Sequence, residues 1–431
     1  MKYREPLDLT IDTLNEDGCG LSADGQFAVY GSLPGESVTA QPLTQKRKKV
    51  FLKTIAVKNP SSERVEPHCP AAASCGGCSY QHMKHSAQLE FKSGLLRKHL
   101  LPLEPLEWLP PVTGPTLGYR SKARLGVRYV EKKGRVLVGF REKQKSYITD
   151  ISACPVLSGD NADLITPLQE LVGALSVARS VPQIEVAAGD EETALIIRHL
   201  EPFDQHDLEL LSSFSDRYGV QIFLQPGGIK TIRRVFPDTQ DTYLEYSLPK
   251  FGLDFRFKPS DFTQVNLAVN RQMVARAVEL LDLRPTDGVF DAFCGIGNFS
   301  LAIARSVSRV VGAEQSAESI DRARLNSSLN AVENVTFEVV DLQDDSPEIP
   351  GFTGLNKVLL DPPRSGAKAL MKVLESPDVE RVVYVSCNPE TLARDAKMLV
   401  QQGFTLRSAG IIDMFPHTTH VESVALFCRQ G

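Results

Sequence analysis

The chain has 431 residues, 42% hydrophobic and 23% charged, with a formal net charge of −5. That length allows two or three domains with separate cores, and no run of about 18 apolar residues marks a membrane span. The amino-terminus MKYREPLDLT is too charged for a secretory signal, and eight cysteines are too few and too unevenly spread for a disulfide scaffold. A cytoplasmic monomer is expected, and the mildly acidic balance leaves local basic patches free to bind nucleic acid.

Residues 1–60 carry the alternating segments LDLTIDTL, GQFAVYGSL, ESVTAQPL and VFLKTIAV, separated by the turns DGCG, ADGQ and LPGE. The pattern predicts a small all-β barrel, a fold that often binds oligonucleotides on one face. The basic run QKRKK lies between its last two strands. A purely structural β-module has the same pattern.

Residues 60–82 are rich in Pro and small residues and have no periodicity. Cys69, Cys75 and Cys78 stand there as CxxxxxC then CxxC, and Cys154, followed by proline as Cys69 is, offers a fourth thiolate. Four cysteines hold either zinc or a 4Fe-4S cluster, and the uneven spacing closed by a distant Cys-Pro favours iron–sulfur. His68 and His82 flank the loop as substitute ligands.

From Ser86 to Leu101 the apolar spacing predicts a helix, closed by the prolines at 102, 105, 110 and 111. Alternating strands follow, with Arg120, Lys122, Arg124 and Arg128 evenly spaced and so expected on one strand face, where arginine can grip phosphate. Further basic clusters occur at Arg141 to Lys145 and at Lys230, Arg233 and Arg234. Residues 160–255 read as mixed α and β, without legible chemistry. The expected middle unit is therefore an α+β domain over 61–258.

From 259 a loop leads into an amphipathic helix starting near Asn266. Strands then recur at GVFDAF, RVVGAEQ, VTFEVVD, KVLLDPP, RVVYVSC, TLRSAGIIDMF and VESVALFCR. Helices separate the first five, and a short turn joins the last two. The expected architecture of 259–431 is a seven-stranded, doubly wound α/β domain with an antiparallel final strand.

Its first strand ends in DAFCGIGNFS, a glycine turn of Asp291, Gly295 and Gly297 into a helix. Glu314, at the end of the second strand, is placed to hold ribose hydroxyls, and Asp341 closes the third. A dinucleotide site prefers a third glycine where Ser300 stands, so a ligand without pyrophosphate is expected, and S-adenosylmethionine (SAM) fits. Asp361 projects from the rigid LDPPRSG loop after the fourth strand, and Cys387 ends the fifth in VVYVSCNPETLARD. A cysteine at such a strand end, before a helix amino-terminus, can be held as thiolate.

A thiol, a carboxylate and SAM suffice to methylate carbon 5 of a pyrimidine: the thiolate adds to carbon 6, carbon 5 takes the methyl, and a base removes the carbon-5 proton. Cys387 is the expected nucleophile. Glu422, in HTTHVESVALF, is the expected base, with His417 and His420 as rivals.

DFTQVN, FDAFCGIGNFSL, LLDPPRSG, VSCNPETLARD and HVESVALF together resemble the signatures of the RNA uracil-5-methyltransferase family. The resemblance spans essentially the whole chain. The amino-terminal barrel resembles the TRAM module, an OB-like RNA-binding barrel, and CPAAASCGGC with Cys154 resembles the 4Fe-4S loop of the member that modifies 23S ribosomal RNA. The resemblance implies a Rossmann-like methyltransferase domain in which Gln264, Phe293, Asn298, Glu314, Asp341 and Asp361 surround SAM, Cys387 is nucleophile and Glu422 is base. It implies a uridine of 23S rRNA as substrate, since tRNA-modifying relatives generally lack the cysteine loop and the barrel. The same chemistry on tRNA or another rRNA uridine, an iron–sulfur oxidoreductase and a non-catalytic RNA-binding protein are the competing readings.

Overall fold

The computed structural model describes residues 3–238 and 242–429. The first strands are β1 (Leu7–Thr10), β2 (Thr13–Leu14), β3 (Cys19–Leu21), β4 (Phe27–Tyr30), β5 (Ser37–Lys46) and β6 (Lys49–Asn59). They hydrogen-bond in the order β1-β5-β6-β4-β3-β2. The two edge strands are consecutive in the chain, separated only by Ile11 and Asp12, so the sheet curls back on itself. Alternate side chains of these strands point inward, and Ile11, Val29, Val38, Ala40, Val50 and Leu52 form the interior. Arg64 pairs with the buried Glu36 at 2.5 Å and anchors the chain leaving the sheet.

The next elements are α1 (His85–Leu100), β7 (Glu107–Trp108), β8 (Lys122–Val130), β9 (Arg135–Gly139), α2 (Ile165–Ala174), β10 (Gln183–Ala188), β11 (Thr193–Arg198), α3 (Gln205–Tyr218), β12 (Val220–Gln225) and β13 (Arg233–Phe236). A second sheet runs β13-β12-β11-β10-β8-β9. The apolar faces of α2 and α3 cover it, with Leu168, Leu171, Leu211 and Phe214 in its core. A hairpin follows, β14 (Leu244–Leu248) with β15 (Leu253–Phe257).

The remaining elements are α4 (Leu267–Leu281), β16 (Gly288–Ala292), α5 (Ser300–Ala304), β17 (Arg309–Glu314), α6 (Ala317–Leu329), β18 (Val335–Val339), β19 (Lys357–Leu360), β20 (Arg381–Ser386), α7 (Pro389–Gln401), β21 (Phe404–Ile412) and β22 (Glu422–Arg429). Asn266 caps α4 by accepting from the Val269 N–H at 3.2 Å. The third sheet runs β18-β17-β16-β19-β20-β22-β21-β7. It contains the seven strands expected after residue 259 and an eighth, β7, parallel to β21. Two residues are too short to show a strand period, so β7 left no trace in the sequence. The last strand, β22, is antiparallel to both β20 and β21 and lies between them. The strand order reverses at β16 and β19, and the crevice outside their carboxyl ends is where such sheets bind ligands.

Packing crosses the expected boundary at 258. Leu96 and Leu100 of α1 share a core with Tyr384 and Leu392. Tyr246, Phe255 and Phe257 of the β14–β15 hairpin pack with Val269, Met273 and Phe299. The second sheet is thus an excursion of the chain between two segments that belong to the body of the third.

The inner face of α1 is mixed: Ala87, Leu96 and Leu100 are buried as its apolar spacing predicts, but Gln88 and Lys92 are buried with them. Lys92 Nζ meets Asp413 Oδ1 at 2.7 Å and the Phe415 carbonyl at 2.9 Å, and His85 Nε2 meets Asp413 Oδ2 at 2.8 Å. These bonds fix the loop between β21 and β22. Among the described residues no helix is long and apolar enough to cross a membrane.

Candidate active site

The run Arg381–Ser386 is rich in β-branched residues and is buried on both faces, as a central strand requires. It stops because Pro389 takes the first helical position of α7 and Asn388 caps that helix, accepting from the Glu390 N–H at 3.1 Å. Cys387 occupies the junction. Register then places Glu422: Ser386 of β20 pairs with Ser423 of β22, so the next residue along each strand, Cys387 and Glu422, stand opposite one another.

The surroundings of Cys387 raise its thiol instead of lowering it. Burial pushes the thiol up to about 11, Glu422 and Asp361 add to the rise, and Arg364 opposes it. Glu422 is itself held well above the usual carboxylate range, first by burial and then by Asp361, with Arg364 again opposing. Arg364 was passed over in the sequence, although it directly follows the prolines of DPPRSG. Its guanidinium also lies 2.9 Å from His420 Nδ1. His417, the other rival base, is committed to structure. Its carbonyl accepts from Ser79 and Tyr80, its N–H donates to Gln88, and its Nδ1 meets Gln88 Nε2.

The expected cofactor residues gather at the carboxyl edge of β16 to β19. Gly297 has φ +90°, a conformation open to glycine, and a Cβ there would press on Leu301 and Phe337. Phe293 has φ +64°, a strained value for a bulky residue of the kind that collects at functional sites. Gln264 Nε2 donates to Asp361 Oδ2 at 3.4 Å, which joins the loop before α4 to the end of β19. Glu314 closes β17 and accepts from the Ser316 N–H. Asp341 lies two residues beyond the end of β18 and is exposed, accepting from Gln315 and the Gln343 N–H. The Asn298 side chain faces the protein, bonded to Asn270 twice and to the Tyr246 hydroxyl.

Asp291 is the residue that sequence reasoning undervalued, counting it only as part of the glycine turn. It is fully buried, Ser300 donates to its Oδ2, and its Oδ1 has no partner. Burial pushes it up to about 7, with Asp361 and Glu314 adding to the rise, and burial alone takes Asp361 to about 7. Asp291, Asp361 and Glu314, close enough for the last two to raise the first, with one oxygen of Asp291 orphaned, suit a ligand that brings positive charge and ribose hydroxyls.

Lys122 shares the outer face of β8 with Arg124 and Arg128, as its spacing predicts, but there it is covered by the loop at 259–261. Its ammonium binds the carbonyls of Pro259 and Asp261, while Asp261 also takes Arg322 at 3.0 Å. The second sheet thereby grips the loop that carries Gln264.

Cys69, Cys75, Cys78 and Cys154 are all buried, all unpaired by disulfides, and all line one small enclosed cavity; neither His68 nor His82 lines it. Burial pushes Cys154 up to about 12 and raises Cys69 and Cys78. Among the described residues no group of three or more His, Cys, Asp or Glu side chains has the arrangement of a single-ion site.

Residues 85–346 and 351–430 match the family model described as tRNA (Uracil-5-)-methyltransferase. The chain is 44% identical to a protein of Alcanivorax borkumensis named 23S rRNA (uracil(1939)-C(5))-methyltransferase RlmD, over 98% of this chain and 96% of the relative. A protein of the same name from Legionella pneumophila (strain Paris) is also 44% identical, over 99% of each chain. The fold is similar to that of Pyrococcus abyssi tRNA (uracil-54, C5)-methyltransferase in complex with S-adenosyl-L-homocysteine, with a TM-score of 0.77 and 26% identity over 97% of this chain and 99% of that one. With that model matched over most of its length and relatives this similar from end to end, the chain belongs to the tRNA (uracil-5-)-methyltransferase family.

Proposed function

We propose that this protein transfers the methyl group of SAM to carbon 5 of a uridine in 23S rRNA, the position being 1939 as in the names of its full-length relatives. The observation that carries the chemistry is the closeness of Cys387 to Glu422 and Asp361, both of which raise its thiol, one position past the last register pair, Ser386 with Ser423. Bound SAM would supply an electrophilic methyl group, and its positive charge suits Asp291, Asp361 and Glu314.

The Cys387 thiol first loses its proton to solvent, and the thiolate then adds to carbon 6 of the uracil while the electrons of the 5,6 double bond move onto carbon 5 and the carbonyl oxygen at carbon 4. Carbon 5 then takes the methyl group. Glu422 removes the carbon-5 proton, the carbon–sulfur bond breaks, and the double bond is restored with the thiolate as leaving group. The raised proton affinity of Glu422 makes its ionised form a stronger acceptor. Arg364 is the cation that offsets the acidic surroundings of the thiol. The uracil has to leave its stack to reach this edge.

The four cysteines are proposed to hold a 4Fe-4S cluster. Four buried, unpaired thiols around one cavity fit it. The uneven cysteine spacing closed by a distant Cys-Pro is the reason to prefer a cluster to zinc. The cluster is given a structural role, cross-linking the loop at 69–78 to Cys154. The amino-terminal sheet is proposed to be a TRAM-like RNA-binding module spanning residues 1–60, and the methyltransferase domain is proposed to take residues 259–431 together with α1 and the β14–β15 hairpin, which leaves the second sheet as the middle unit.

The test is incubation with SAM bearing a labelled methyl group and an unmodified 23S transcript, with and without Cys387→Ala. Transfer that depends on Cys387 supports the reading. Undiminished transfer by the variant, or none by the parent enzyme, refutes it.

A further inference from the structure

A groove of about 580 Å³ opens beside the reaction crevice, where all three sheets meet. One end is formed by Thr418, Thr419 and His420, in the loop that leads to Glu422. His420 is the residue bonded to Arg364, so this end is the rim of the crevice. The opposite wall belongs to the amino-terminal sheet and presents Tyr30 and Phe51, half-buried rings stacked at 6.3 Å and 25°. Between them lie the guanidinium groups of Arg120 and of the exposed Arg141.

The walls are fixed to one another. The Tyr30 hydroxyl accepts from Gln144 Nε2 at 2.6 Å, and the Lys143 ammonium sits 6.0 Å over the Tyr30 ring. The segment Arg141–Gln144, after β9, is also bonded to the cysteine loop, with the Gly76 N–H on the Arg141 carbonyl and the Lys143 N–H on the Ser74 carbonyl, each at 2.8 Å. A Cβ on Gly76 would stand 2.8 Å from that Arg141 oxygen, so the close approach requires glycine. Aromatic faces and guanidinium groups on a rigid frame are what a single-stranded nucleotide needs, a ring for the base and a cation for the phosphate.

A uridine drawn out of its stack leaves its neighbours with bare faces, and those neighbours remain covalently tied to the crevice. We infer that this groove is a second nucleotide site, which takes a nucleotide flanking the target with its base on the Tyr30–Phe51 platform and its phosphate at Arg141. The inference rests on the proposed RNA methyltransferase activity and adds where the strand goes after the target base. The groove volume falls in the range of sites that enclose ligands of nucleotide size.

The test uses the full chain and a synthetic RNA hairpin containing the target uridine, intact or abasic at one of the positions flanking it. Dissociation constants are measured by fluorescence anisotropy for the parent protein, Phe51→Leu, Tyr30→Leu and Arg141→Gln, with methyl transfer followed in parallel. Stacking of one base is worth on the order of five- to hundredfold in affinity. One abasic position should therefore weaken the parent by about tenfold. Phe51→Leu keeps apolar volume without a ring face; it should bind intact RNA as weakly as the parent binds the abasic one and ignore that abasic change. Arg141→Gln should weaken all the RNAs alike and reduce the salt slope by about one. Parental affinity in both Phe51→Leu and Tyr30→Leu overturns the inference, as does an abasic penalty that persists undiminished in both. Absence of methyl transfer by the parent protein sinks the function itself and the groove with it, whereas normal transfer with indifferent variants sinks the groove alone.

Discussion

Lys92→Met should be among the most damaging substitutions outside the crevice. The Lys92 and Asp413 side chains are 2% and 1% exposed, so the lysine cannot be replaced by water. Removing one partner of a buried pair costs about 3–5 kcal/mol because the other charge is left uncompensated. His85 keeps its bond to Asp413 Oδ2 at 2.8 Å, which puts the expected loss at the lower end, about 3 kcal/mol. The chain has one tryptophan, Trp108, in β7 with the Arg97 guanidinium 5.3 Å from its ring centre, so its fluorescence reports on this part of the molecule. With a urea slope of about 2 kcal/mol/M, the fluorescence midpoint should fall by about 1.5 M. Burial alone would raise the Asp413 carboxyl, but the bonds from His85 and Lys92 outweigh it and hold Asp413 below the usual range. A depressed native pKa means that the pair's contribution is complete above the unfolded carboxyl value, about pH 4, and is lost as pH falls through the native value. The parent should therefore lose more stability than the variant on acidification. A midpoint shift under about 0.3 M, or identical acid profiles, would refute the assignment of a stabilising buried pair.

Glu422→Gln should still form the covalent RNA adduct but release product about 10²- to 10⁴-fold more slowly, seen as a retarded protein–RNA band on denaturing gels; normal turnover would remove Glu422 from the mechanism. Binding of SAM, read by calorimetry, should tighten as pH rises through about 7, where Asp291 and Asp361 ionise, and Asp291→Asn should flatten that rise; an unaltered profile in the variant would count against the orphaned carboxylate as a ligand. Protein purified without oxygen should be brown and contain iron, both lost in Cys75→Ser; stoichiometric zinc in colourless protein would refute the cluster.

Where function depends on strand, turn and helix in immediate succession, the residues announce it. FDAFCGIG and VSCNPET encode a buried strand, a break and a helix within a few positions, and the structure places both at the same sheet edge. Glu422 was legible because it begins a strand, although its place opposite Cys387 depends on a register between segments 35 residues apart that no local pattern contains. Lys92 and Lys122 were illegible, since a lysine whose partner arrives from hundreds of residues away, such as Asp413 or Asp261, looks like any solvated lysine. The placement of the β14–β15 hairpin was hidden for a similar reason: alternation shows that one face is buried, and not which body buries it.

The position of β22 has a consequence for how the protein is made. This is an interior strand synthesised after both of the strands that flank it. A nascent chain that stops before Val421 therefore exposes two unpaired edges, on β20 and β21, and is a substrate for aggregation or proteolysis. It also carries the proposed nucleophile and cofactor residues without Glu422. Completion of the sheet and arrival of the proposed base are one event, so a truncated chain has no route to turnover.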